Sequence, residues 1–147
     1  MVYKYSYQGY DNQTMARASS QNVAISLKKS VEVAKSIKGK KVNDAIDYLE
    51  KVSEKTVAVP YTRYVAEMAH RKGKGISTGG YPLKAVAEFL RLIKSAQKNA
   101  SEKEMSEDLV IISASVRKGT NRYHYGRYSG RKMKSTNVEI IVGAKKW

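Results

Sequence analysis

Apolar residues recur at helical spacing in three stretches of this chain and at strand spacing in two more near its C-terminal end. Leu27, Val31, Ala34 and Ile37 follow at intervals of four and three, after Ser26, a residue suited to cap a helix start, and before Gly39, which ends the pattern. Asn43 is placed to cap a second helix, with Ile46, Leu49 and Val52 on one side together with Ala45 and Tyr48. The short link between the two helices predicts that they pack as a hairpin. Pro82 fits the first position of a third helix, where its missing amide hydrogen costs nothing. Val86, Phe89, Leu90, Ile93 and Ala96 then give that helix a broad apolar face, so it should be the central one.

From Leu109 to Val116 the pattern changes to alternation, with Val110, Ile112, Ala114 and Val116 on one side and Ser113 and Ser115 on the other. Val138, Ile140 and Val142 repeat it with Glu139 turned away, so two half-buried strands should pair antiparallel with one face against the helices. A weaker strand is expected within residues 14–20. Residues 60–81 read as mostly loop, with a turn of helix through Ala69, and Glu102, Glu104, Glu107 and Asp108 as a solvated linker. Tyr3, Tyr5, Tyr7 and Tyr10 mark an N-terminal arm that lies extended on something. The expected fold is α+β, three helices on a small antiparallel sheet with a long protruding β-hairpin. It divides into an arm (1–13), a globular part (14–116 and 135–147) and a basic hairpin arm (117–134).

Length adds that 147 residues suit one domain and are too few for two of ordinary size. The absence of cysteine excludes disulfides, zinc ribbons, iron–sulfur clusters and thiol catalysis together. No apolar run approaches the ~20 residues that span a bilayer, and no signal-peptide pattern opens the chain, so no membrane partner is expected.

Charge changes the picture most. The net charge is +15, and residues 117–134 carry seven basic groups and no acid. Like charges so crowded repel one another unless counterions or phosphates lie between them, so a polyanion is the expected partner. If the strands pair most of the way, the folded-back segment makes an arm about 50 Å long.

Catalytic patterns are thin. Ser26 and Lys29 match Ser-x-x-Lys without the partner motifs of that chemistry, and the glycines from Gly73 to Gly80 lack the Gly-Lys-Ser/Thr ending of a phosphate-binding loop. His70 and His124 have no carboxylate or second histidine nearby to propose a metal or a base. No enzyme, metal or cofactor is expected. The arm is different, since Arg122, Tyr123, Tyr125, Arg127, Tyr128 and Arg131 interleave guanidinium groups with rings. Arginine forks grip phosphate oxygens in pairs, and rings stack on exposed bases.

The ordered run Ile25-Ser26-Leu27-Lys28-Lys29, the helix ending Ile37-Lys38-Gly39, the long helix through Asn99-Ala100 and the strands around a basic arm resemble a known family. This is the family of large-subunit ribosomal protein twenty-two, and Arg127-Tyr128-Ser129-Gly130-Arg131 is similar to the Arg-x-x-Gly-Arg near its hairpin tip. The insertion from Val59 to Tyr81, with Val59-Pro60-Tyr61 and Tyr81-Pro82, looks like the archaeal and eukaryotic branch.

The resemblance implies a cytoplasmic, ribosome-bound structural protein that binds ribosomal RNA, bridges RNA domains during assembly and lines the polypeptide exit tunnel. Its implied partners are large-subunit ribosomal RNA, neighbouring large-subunit ribosomal proteins and the nascent polypeptide. Arg117, Lys118, Arg122, Arg127, Arg131, Lys132 and Lys134 would then contact phosphate, with Tyr123, Tyr125 and Tyr128 stacking or hydrogen bonding. Lys28, Lys29, Arg63, Arg71, Lys72 and Lys74 would hold the globular part to outer RNA. Tyr125, Gly126, Arg127, Tyr128, Ser129, Gly130 and Arg131 would form the tunnel-facing tip. A competing expectation is a regulator or chaperone of free nucleic acid, DNA included. A duplex reader, however, carries its basic groups on a helix face rather than in a glycine-bearing loop.

Overall fold

A computed structural model of the chain describes residues 4–106 and 108–144, so Tyr3 and Glu107 lie outside the described residues. Three strands form the main sheet: β1 (Met15–Val23), β4 (Leu109–Lys118) and β5 (Thr136–Ala144), antiparallel with β5 in the centre. Three helices, α1 (Leu27–Ile37), α2 (Val42–Ser53) and α3 (Leu83–Glu102), cover one face. A two-stranded ladder, β2 (Val59–Pro60) with β3 (Gly79–Gly80), closes the segment between α2 and α3.

Helix α3 is the central one, packed on β1, β5, α1 and α2, and Phe89, Ile93 and Ala96 are fully buried beneath it. It starts at Leu83, one residue after the predicted first position, with Pro82 as its cap and the Pro82 carbonyl accepting from the Val86 amide. The helix hairpin is loosely packed: α1 lies chiefly on β4 and α3 and α2 on α3, and the two helices meet through a side-chain bond between Ser36 and Tyr48. The link between them is stitched into the sheet edge, Gly39 N–H donating to Ile111 O and Ile111 N–H to Lys40 O, each at 2.9 Å. Gly39 makes the turn at φ +82°, which favours glycine. This stitching also moves the start of α2 back to a cap at Lys41, and Asn43 lies inside its first turn.

On β4 the expected single apolar side is corrected by a bulge between Ile111 and Ser113. Before it Leu109 and Ile111 face the helices and are buried; after it Ala114 and Val116 take over, and Val110 and Ile112 point the other way. Val138, Ile140 and Val142 of β5 are fully buried, as the alternation predicts. Glu139 does face away from the helices, yet it is only 2% exposed.

The N-terminal segment covers it. Ser6 donates from its amide and hydroxyl to Glu139 Oε2 at 2.9 and 2.6 Å, and Arg117 pairs with Glu139 Oε1 and donates to Lys4 O. Arg17 stands over the rings of Tyr5 and Tyr10 at 4.4 and 4.3 Å. What the N-terminal arm lies on is therefore the outer face of this protein's own sheet. Residues 60–81 hold β2, β3 and a His70–Thr78 bridge, with no helical turn at Ala69. Asp108 of the acidic linker pairs with Lys41 at the surface.

Candidate nucleic-acid interface

The connection between β4 and β5 carries the concentrated charge. Continuous pairing ends at Lys118 and Thr136 and returns as a Tyr123–Lys132 bridge, so the ladder is interrupted between them. Below the bridge side chains bond the root across the strands. Asn22 Oδ1 accepts from the Thr120 amide and the Ser135 hydroxyl, each at 3.0 Å, and the Asn22 amide donates to Asn137 Oδ1 at 2.7 Å. Gly119 sits where these side chains converge: a Cβ there would fall on Ser135 Oγ and within 2.7 Å of Asn22 Oδ1.

Above the root the segment holds itself by main-chain bonds, Met133 to Arg122 at 2.7 Å and His124 to Arg131 at 2.8 Å, and a 3₁₀ turn at Gly126–Tyr128 ends it. Gly126 takes φ +68° there. Tyr123, Tyr125 and Tyr128 are exposed, Tyr125 to 83%. The His124 ring stacks on Tyr125 at 4.8 Å and meets Tyr128 edge-on at 6.2 Å. Arg122, Arg127, Ser129, Gly130, Arg131, Lys132 and Lys134 are exposed as well. Arg117 differs from the other arm cations because its guanidinium is tied to Glu139.

The second basic surface surrounds the start of α1. One open cleft of about 400 Å³ runs between the first turn of α1 and the arm root, with Lys28, Lys118, Lys132 and Lys134 on its walls. A second, of about 330 Å³, lies between Lys28, Lys29 and the segment from Tyr61 to Met68, which brings Arg63 and Tyr64 to it. A third joins Lys29 and Lys134 to Lys84, a lysine that the sequence pattern does not single out. Lys28, Lys29 and Arg63 are thus brought together with the arm root; Arg71 lies over the ring of Tyr81 on the third cleft's wall, whereas Lys72 and Lys74, on the loop beyond the His70–Thr78 bridge, line none of these three clefts. Among the described residues no group of acidic or histidine side chains could hold a metal ion, and no helix is long and apolar enough to cross a membrane.

Glu32 is the residue that sequence reasoning missed. It lies on α1, 1% exposed, and its carboxylate accepts from the amides of Arg63 and Tyr64 at 2.8 Å each and of Thr62 at 3.1 Å. Burial acts to raise its pKa, but the hydrogen bonds from Tyr64, Thr62 and Arg63 outweigh it and hold the carboxyl below its usual value. Lys35 adds a bond to the Thr62 hydroxyl at 2.6 Å. Burial and then the Glu32 charge raise the Tyr61 phenol in turn. Nothing in local sequence marks Glu32, which reads as one more charge on an amphipathic helix.

The family model described as ribosomal protein L22p/L17e matches residues 18–143. The protein named large ribosomal subunit protein uL22 from Cenarchaeum symbiosum is 35% identical, covering 94% of this chain and 95% of that protein. Its namesake from Methanocorpusculum labreanum is 39% identical over 87% and 88%, and that from Archaeoglobus fulgidus 35% over 94% of each.

Proposed function

The chain belongs to the ribosomal protein L22p/L17e family, in its archaeal type, and from that premise we propose that it is a non-enzymatic structural constituent of the large ribosomal subunit. It binds ribosomal RNA through two cationic surfaces, the arm and the clefts at the start of α1, and by holding separate RNA segments it helps the subunit assemble. The tip around Arg127 to Arg131 reaches furthest from the sheet in sequence and lines the exit tunnel, where it meets the nascent polypeptide. Neighbouring ribosomal proteins complete its surroundings on a ribosome in the cytoplasm.

The observation that carries the reading is the arm: exposed arginines and tyrosines without a single acid, set on a root that leaves no room for a side chain at Gly119. Apart from Arg117, paired with Glu139, the cations of this segment meet no carboxylate among the described residues to offset their mutual repulsion, and closely spaced phosphates supply the missing anions. Rings between the cations suit unpaired bases rather than a regular duplex.

Sedimentation of a tagged copy through a sucrose gradient in high salt tests the proposal. Stoichiometric recovery with the large subunit is expected. Recovery at the top of the gradient, or with chromosomal DNA, would instead favour a binder of free nucleic acid.

A further inference from the structure

Resting on the reading that this chain binds ribosomal RNA, we propose that the cleft between the first turn of α1 and the segment from Arg63 to Met68 receives one unstacked nucleotide. Its base lies against Tyr64, Val65 and Met68, its phosphate among Lys28, Lys29 and Arg63, and Glu32 is the positioning residue that keeps the cleft formed.

The walls make two demands that one ligand must meet. Lys28, Lys29 and Arg63 are exposed, no carboxylate lines the cleft, and the nearest buried one, Glu32, is turned inward onto three backbone amides. The occupant is therefore an anion. The floor is apolar, with Val65 45% exposed beside Met68, and the Tyr64 ring has cations near it, Lys28 at 5.8 Å and Arg63 at 5.4 Å from its centroid. The occupant therefore also presents a flat apolar face. A nucleotide carries both, a planar base and a phosphate one sugar away. A duplex edge supplies only phosphate and leaves Val65 in water, and an acidic peptide supplies charge without the flat face.

Glu32 matters because the main chain that presents Arg63 and Tyr64 has no regular secondary structure to hold it. A carboxylate offers acceptors to all three amides at once. Glu32→Gln puts an N–H₂ donor against amide donors and releases part of the segment.

Ultraviolet crosslinking of intact large subunits, followed by peptide mass spectrometry, tests this at residue level. A single-nucleotide adduct is expected on the tryptic peptide 64–71, lost in Tyr64→Ala and retained in Tyr64→Phe. Glu32→Gln should reduce it about fivefold while adducts on the arm keep their yield. If that variant fails to fold, the surface pair Lys28→Gln with Lys29→Gln, which leaves the cleavage sites around 64–71 intact, should produce the same selective fall. Arm adducts with none on 64–71, or a crosslink from that peptide to another protein, would overturn the cleft and leave the RNA-binding reading standing. No adduct on either region would overturn both.

Discussion

Two segments of this molecule share a composition and differ in how they keep their shape. The stretch from Tyr61 to Thr78 and the arm from Gly119 to Ser135 both carry arginines, lysines, tyrosines and several glycines, and both are closed by antiparallel strands. The first is held from inside, by the Glu32 carboxylate on three of its amides and by Lys35 on its Thr62 hydroxyl. The second is held only at its root and by its own main chain; above Thr120 its cations meet no carboxylate among the described residues. A cationic segment needs an anion to fix it. One has been given a buried carboxylate, and under the proposed function the other takes an external phosphate.

The largest effect should come from reversing charge where no internal anion exists. Arg127→Glu with Arg131→Glu is expected to reduce incorporation into large subunits roughly tenfold per arginine, measured as the protein's share in gradient fractions. Lys51→Glu with Lys98→Glu, exposed on the helices, should change it less than twofold, roughly within the scatter of surface substitutions. Lys103 would be a poor control, because its ammonium bonds to Tyr10, Asn12 and Met15 and so fastens the N-terminal segment. Equal losses from both pairs would end the distinction between arm and body.

Next in size is the root. Gly119→Ala pushes a methyl group onto Ser135 and Asn22 and should cost about 1–3 kcal/mol of local stability. Amide exchange at Thr120 and Asn22 should quicken while the core around Phe89 keeps its protection. Unchanged exchange would mean that the root is not what holds the arm.

A smaller effect is expected on salt dependence. Binding of the free protein to its RNA should weaken linearly in log–log form. Removing Arg127 and Arg131 as Gln should flatten the slope by about 1.4–1.8, while Lys51→Gln with Lys98→Gln leaves it unchanged. The smallest concerns acid. Because the folded Glu32 carboxyl sits below its usual pKa, its stabilisation is present above the unfolded carboxylate pKa and is lost as pH falls through the folded value. Backbone amide signals of Thr62 to Tyr64 should therefore shift in acid below the ordinary carboxylate range, with Glu32→Gln removing that transition.

Element types were legible because each rests on a local period. The stripe through Phe89, Ile93 and Ala96 and the alternation through Val138, Ile140 and Val142 can be satisfied only by a helix and a strand. The arm was legible because unbalanced charge needs no fold to be recognised. Asn22 and Asn137 were not, since their bonds join residues about a hundred positions apart. Ile112 shows the same limit on a smaller scale: a one-residue bulge reverses a face without altering the composition of the strand.

The sequence by itself determined three helices, an antiparallel pair at the C-terminal end, and a cationic arm between its strands, because periodicity and charge are properties of neighbouring residues. Only the tertiary structure decided that β1 completes the sheet beside β5, that Tyr5 and Tyr10 lie on its outer face, and that α1 and α2 pack chiefly on β4 and α3. It alone also decided the roles of Glu32 and Glu139. A carboxylate in a helix or strand pattern looks solvated, and becomes an anchor when distant main-chain amides or a guanidinium are folded against it and the water around it is displaced.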